Sequence, residues 1–75
     1  MRAEFTVEPF NSGTPGTHVL AAVDAARSLG LDPEVGPFAT AIVGDAAQVA
    51  DAIRALTLAA FSAGATRVSV TVERD

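Results

Sequence analysis

The chain has no cysteine, tryptophan, tyrosine or lysine, and only one histidine. Without cysteine there is no disulfide framework, no thiolate metal site and no thiol nucleophile. One histidine alone is a poor start for a zinc site, and neither a metal nor a resident cofactor is expected. Five arginines are the only basic side chains, against nine acids, for a net charge of −4. Such a chain lacks the basic stripe that tracks a phosphate backbone, so nucleic acid is not an expected partner. A cationic or neutral small ligand suits it better. Long uncharged apolar runs are missing too. The most apolar stretch, Ala46 to Ala63, contains Asp51 and Arg54, so no membrane span is expected. The opening residues carry no basic, apolar leader, and a cytoplasmic location is the expectation.

What is present fits one small folded domain over residues 1–75. Apolar types make up 49% and charged types 19%, which is too apolar for a disordered tail. The core must nevertheless be thin. Sixteen residues are alanine, and the large apolar side chains are four Phe, five Leu, two Ile, nine Val and Met1. Small domains hold only ~0.05–0.15 kcal/mol of net stability per residue. With no disulfide or metal to staple it, the chain is expected to gain part of its burial by self-association, as a homo-oligomer.

Residues 2–8 alternate, with Ala3, Phe5 and Val7 on one side and Glu4, Thr6 and Glu8 on the other, the period of a half-buried strand. Pro9 ends it. The run from Asn11 to Gly16 reads as a loop, and Thr14-Pro15 as an N-cap followed by proline at the first helical position. The helix that follows is expected to reach about Leu29, with Val19, Leu20, Val23, Ala26 and Leu29 as its apolar stripe and Gly30 as its C-terminal stop. Leu31 to Pro37 reads as a proline-interrupted edge strand, and Ala39 to Val43 as a small-residue strand closed by Gly44. Asp45 and Gln48 have the spacing of a capping box. They open a second helix to about Ala63, with Val49, Ile53, Leu56 and Ala60 inward, Leu58 and Phe61 flanking, and Gly64 as its stop. From Thr66 to Glu73 the chain alternates again, with Val68, Val70 and Val72 inward.

The order strand, helix, strand, strand, helix, strand predicts an α+β ferredoxin-like βαββαβ sandwich. Right-handed crossovers give a four-stranded antiparallel sheet in the order 4-1-3-2, with two helices on one face and the other face bare. This topology gathers three connections at one end: Glu8 to Thr17, Gly36 to Thr40, and Gly64 to Arg67. That end is rich in Ser, Thr and Asn, with Phe10 and Phe38 as aromatic walls, the mix typical of small-molecule sites.

The same segments carry a resemblance. The strand Glu4-Phe-Thr-Val-Glu-Pro9, the Ser/Thr/Gly loop after it, the run Pro37-Phe38-Ala39-Thr40, and Phe61-Ser-Ala-Gly64-Ala65-Thr66-Arg67-Val68 follow one another as in the thiamine-binding protein family with the YkoF-like fold. The resemblance covers nearly the whole chain. It implies a non-enzymatic protein that binds thiamine or its hydroxymethylpyrimidine part and forms dimers or tetramers through its sheets. Three positions depart from the family pattern: Val43 stands for a Glu, Ala39 for a Gly, and His18 for an aromatic near the start of helix one.

The ligand site is expected at the strand-one end, centred on Thr40 and Phe38, where the family's Pro-x-x-Thr segment falls, with Thr6, Glu8 and Ser12 within reach by the topology. Thr40 would hydrogen-bond a pyrimidine; as a plain β-branched strand residue it would do no more than pack. Phe38 would stack on an aromatic ring or plug the end of a thin core, and the plug is the favoured role. Glu8 would sit near the positive thiazolium, or be a solvated carboxylate. Glu4 and Glu8 lie ~13 Å apart along the strand, too far to couple as an acid pair. His18 could act as a base if Glu8 oriented it, but a plain first-turn helix residue is the favoured reading. Residues 11–17 lead into a helix N-terminus yet lack the pattern of a phosphate loop. Two other functions compete. A structural or regulatory oligomeric subunit without a ligand is favoured by the loss of the family's carboxylate at Val43. An acylphosphatase-type hydrolase on this fold would need an arginine in the phosphate loop, and none lies between Arg2 and Arg27.

Overall fold

The computed structural model describes residues 1–9 and 16–74. Its elements are β1 (Arg2–Glu8), α1 (Thr17–Ser28), β2 (Glu34–Val35), β3 (Thr40–Val43), α2 (Ala46–Ser62) and β4 (Arg67–Glu73). One four-stranded sheet runs β2-β3-β1-β4, with antiparallel pairing throughout. This is the expected α+β ferredoxin-like sandwich and strand order.

The register follows the alternation read in the sequence. Ala3 pairs with Ile42 on one side and Val72 on the other, and Phe5 with Thr40 and Val70. Ala3, Phe5, Val7 and Ile42 therefore share the helix-covered face, and all are buried. Val68 and Val70 are half-buried against this core. Val72 is exposed, because β4 is an edge strand and the helices cover the sheet's middle.

The two helices lie close against each other and share one buried core with the sheet. Their buried residues are His18, Ala22, Val23 and Ala26 on α1, and Val49, Ala52, Leu56 and Ala60 on α2. The expected stripe of α1 is thus corrected. Leu20 and Leu29 face out, at 47% and 43% exposure, and Ala22 takes the inward place. Alanines on both helices let the backbones approach closely, and interlocking of the helix surfaces selects small side chains there. On α2 the rotation is smaller: Ala52 is fully buried and Ile53 only partly.

Helix ends follow local chemistry. Asp45 accepts from the Gln48 amide at 2.8 Å while the Gln48 side chain accepts from the Asp45 amide at 3.0 Å. Removing the cap as Asp45→Ala is expected to cost about 1 kcal/mol, a fall of ~4–8 °C in melting temperature for a domain of this size, read by circular dichroism. An unchanged midpoint would show that α2 is held by packing alone. Gly30 and Gly64 both take positive φ, +86° and +105°, after the ends of α1 and α2, where a side chain would be strained. Helix α1 begins later than expected. Gly16 is its N-cap, its carbonyl accepts from Val19 and Leu20, and Thr17 is the first residue of the helix. Glycine is acceptable at an N-cap even without a side-chain partner. Thr14, Pro15 and Phe10 lie outside the described residues. Strand β2 is shorter than expected, two residues, since Leu31 and Pro33 turn inward and are buried.

Candidate functional site

At the far end of the sheet the termini region is tied by its backbone. The N-terminal amine donates to the Gly44 carbonyl at 3.0 Å, and the Gly44 amide to the Met1 carbonyl at 3.1 Å. The end where β1 finishes is the one at which three connections meet. The Thr66 amide donates to the Glu8 carbonyl at 2.8 Å, and the Thr66 hydroxyl to the same oxygen at 3.3 Å. Arg67 Nε lies 3.6 Å from Glu8 Oε2. His18 Nε2 sits 2.5 Å from the Pro9 carbonyl oxygen. These contacts join β1, α1 and the α2–β4 connection as the topology required.

The candidate ligand residues separate across the sheet. Thr40 pairs with Phe5 and Val35, so its side chain lies on the helix-covered face, and it is 4% exposed. Its hydroxyl makes no hydrogen bond among the described residues. Yet no fully buried side-chain oxygen or nitrogen among them lacks a partner, so the Thr40 oxygen retains an opening. Thr6 and Glu8 are half-buried on the other, open face, opposite Ser69 and Arg67. Phe38 stands in the β2–β3 turn at 82% exposure. It does not plug the core, because the short turn carries it beyond the helix-covered layer. Ser12 lies outside the described residues.

His18 occupies the first turn of α1, as expected, but it is buried. Its partner is the Pro9 carbonyl, whereas the Glu8 carboxylate is turned to Arg67. A Glu8–His18 acid–base pair is therefore not assembled. Thr40 and His18 are the two buried polar side chains among the described residues; His18 lies at the end where β1 finishes, and Thr40, at the start of β3, stands opposite Phe5 in the middle of β1.

A feature the sequence reading missed lies on the open face. A groove of about 210 Å³ is lined by Arg2, Glu4, Glu34, Gly36, Ala39 and Ala41. Register explains it. Ala41 stands between Glu4 on β1 and Glu34 on β2, so a methyl floor is flanked by two carboxylates. Arg2 is hydrogen-bonded and ion-paired to Glu4. Its guanidinium is held above its ordinary value by that hydrogen bond first, then by the charge of Glu4, with Glu73 and Glu34 adding. Glu34 has no ion pair among the described residues, and the Arg2 guanidinium is the positive group that lines the same groove. Alternating alanines in residues 39–41 were the available signal. No group of three or more His, Cys, Asp or Glu that could hold a metal is found among the described residues. No helix there is long and apolar enough to cross a membrane.

Comparisons with known proteins fit this architecture. A domain of unknown function from Bacillus cereus is similar in structure, with 23% identity and a TM-score of 0.71 over 96% of this chain and 70% of that one. A hypothetical protein from Methanocaldococcus jannascii is similar too, with 20% identity and a TM-score of 0.70 over 99% of this chain and 79% of that one. At such identities the likeness is one of fold. No curated protein matches the chain. The profile of the family described as thiamine-binding protein matches residues 3–75, from the first core residue of β1 through β4, and the chain belongs to that family.

Proposed function

We propose that this protein binds thiamine or a related hydroxymethylpyrimidine without transforming it, and that it works as a homo-oligomer in the cytoplasm. Membership of the thiamine-binding family over residues 3–75 carries the reading. The Thr40 hydroxyl supports it: the residue is only 4% exposed, and the hydroxyl, which makes no hydrogen bond among the described residues yet keeps an opening, is available to a ligand. In this reading Thr40 is the centre of the site and pairs with the pyrimidine. Phe38, already exposed at the rim, packs on the ring. Glu8 faces the thiazolium, and Thr6 and Ser12 complete the reach of a ligand that extends round the end of β1. Self-association is supported by the alanine-rich core and the bare sheet face.

A structural or regulatory subunit without a small ligand is the alternative. Val43 favours it: where the family pattern has Glu, this chain places an apolar side chain, 62% exposed, on the open face opposite Arg2. Isothermal titration calorimetry separates the two. Saturable heat with thiamine or hydroxymethylpyrimidine, and thiamine recovered unchanged after incubation, is the expected result. No heat with these or with the thiamine phosphates leaves the structural subunit.

A further inference from the structure

The residues that line the open-face groove fall into two kinds. Gly36, Ala39 and Ala41 carry no side-chain atom beyond a β-carbon, whereas Arg2, Glu4 and Glu34 are charged. Ala41 pairs with Glu4 on one side and Glu34 on the other. The backbones that carry the two carboxylates therefore stand two strand spacings apart, about 9–10 Å. Between them the floor is methyl groups and main chain. Gly36 keeps the turn end of the groove bare. Its amide donates to the Ala39 carbonyl at 2.9 Å, and a β-carbon at that position would lie only 2.9 Å from the same oxygen.

The charges of the groove are not equally engaged. Glu4 is paired with Arg2. Glu34 is exposed and has no ion pair among the described residues. Arg2 gives one N–H to Glu4, and a guanidinium has five, so donors remain on a side chain that is 44% exposed. A lone cation in this groove would meet Glu34 but be repelled by Arg2. A lone anion would meet Arg2 but be repelled by Glu4, Glu34 and Glu73, whose charges all bear on that guanidinium. A molecule with one charge of each sign, separated by a short apolar stretch, avoids both conflicts. Its ammonium would donate to Glu34, its carboxylate would accept from the free N–H groups of Arg2, and its methylenes would lie on Ala39 and Ala41. Both end contacts are charge-assisted hydrogen bonds. An α-amino acid carries both charges on one carbon and cannot reach across the methyl floor; an ω-amino acid can.

We propose that this groove is a binding site for a small ω-amino acid zwitterion, with Glu34 as the ammonium partner and Arg2 as the carboxylate partner. The site is separate from Thr40, which lies on the helix-covered face of the sheet. Because the groove is open to water, each ion pair adds only modestly, and weak, rapidly exchanging binding is expected.

Amide NMR of the isotope-labelled full chain, titrated with γ-aminobutyrate at millimolar concentration, tests the site. Saturable shifts of the Gly36, Ala39 and Ala41 amides are expected. Butylamine and butyrate each keep one of the two charges, and both should bind several-fold more weakly. Two variants assign the ends. Glu34→Gln should remove the preference for γ-aminobutyrate over butyrate, and Arg2→Gln the preference over butylamine. Ala41→Leu raises the floor on the solvent side of the sheet and should abolish the shifts at Gly36 and Ala39 while leaving the helix signal in circular dichroism unchanged. No saturable shift at the three amides with γ-aminobutyrate overturns the proposal. Butylamine or butyrate binding as tightly as γ-aminobutyrate to the wild-type chain overturns it too, and so does a titration that Ala41→Leu leaves intact.

Discussion

Thiamine at about a hundredfold excess over its dissociation constant should raise the melting temperature of this protein by more than about ten degrees. Ligand that binds only the folded state at that excess stabilises it by ~2.7 kcal/mol. In a domain this small, each kcal/mol moves the midpoint by ~4–8 °C. The effect is large because the chain is small: the unfolding entropy that divides the ligand's contribution scales with length. Melting cannot be followed by intrinsic fluorescence in a chain without tryptophan or tyrosine, so circular dichroism at the helix band is the better probe. Oligomer assembly adds its own concentration dependence, and the comparison must be made at one protein concentration.

Thr40→Val gives the same experiment a location. The substitution keeps the branched shape and removes a hydroxyl that bonds to nothing among the described residues. The unliganded protein should therefore melt nearly where it did before, or slightly higher. The thiamine-induced shift should shrink. If the shift survives intact in Thr40→Val, the ligand sits elsewhere, and the groove between Glu4 and Glu34 on the open face is the next place to look. If wild type shows no shift with any of the thiamine compounds, the structural-subunit reading stands and Val43 is the residue to restore as Glu.

Much of the fold was legible in the sequence because period-two alternation and helix stop signals are local. Residues 2–8 and 67–73 declare their inward faces by spacing alone, and Asp45, Gln48, Gly30 and Gly64 mark helix ends through contacts within one turn. The inward face of α1 was not legible. Leucine outranks alanine in any count of hydrophobicity, so Leu20 and Leu29 looked like core. Close approach of two helices selects by size, and that depends on a partner helix far away in the chain, whose own buried residues include Ala52 and Ala60. The start of α1 was misread for a related reason. Thr14-Pro15 has good capping chemistry, but the backbone turns helical only after Gly16.

The convergence of connections at one end of the sheet was legible in the sequence, and the placing of the candidate side chains on its two faces was not. Topology alone brought the three connections to one end. Which face each side chain occupies depended on register, and register separates Thr40 from Thr6 and Glu8 by the thickness of the sheet. The open-face groove needed more: Glu4, Ala41 and Glu34 come from three strands, and only their joint pairing puts a methyl floor between two carboxylates. His18 shows the same limit. Its place in the first helical turn could be read, but its burial and its Pro9 partner are tertiary facts.

Two phenylalanines supply the sharpest check on this layering. Phe5 is 2% exposed at the centre of β1, and Phe38 is 82% exposed in the β2–β3 turn. Phe5 is among the few large side chains that are fully buried, with Ile42, Leu56 and Val49. Truncating a buried phenylalanine to alanine costs ~3–5 kcal/mol, since surrounding atoms only partly collapse into the space. At ~0.05–0.15 kcal/mol per residue the whole domain holds about 4–11 kcal/mol. Phe5→Ala should therefore remove a large share of the stability, lower the melting temperature by at least about ten degrees, and make the remaining fold strongly dependent on protein concentration and on ligand. Phe38→Ala should change unliganded stability by less than about 0.5 kcal/mol, as exposed positions do, while weakening thiamine binding through the lost ring contact. Equal melting temperatures for the two variants would mean that β1 does not present Phe5 to the helices, and the register from which every site position was placed would fall with it.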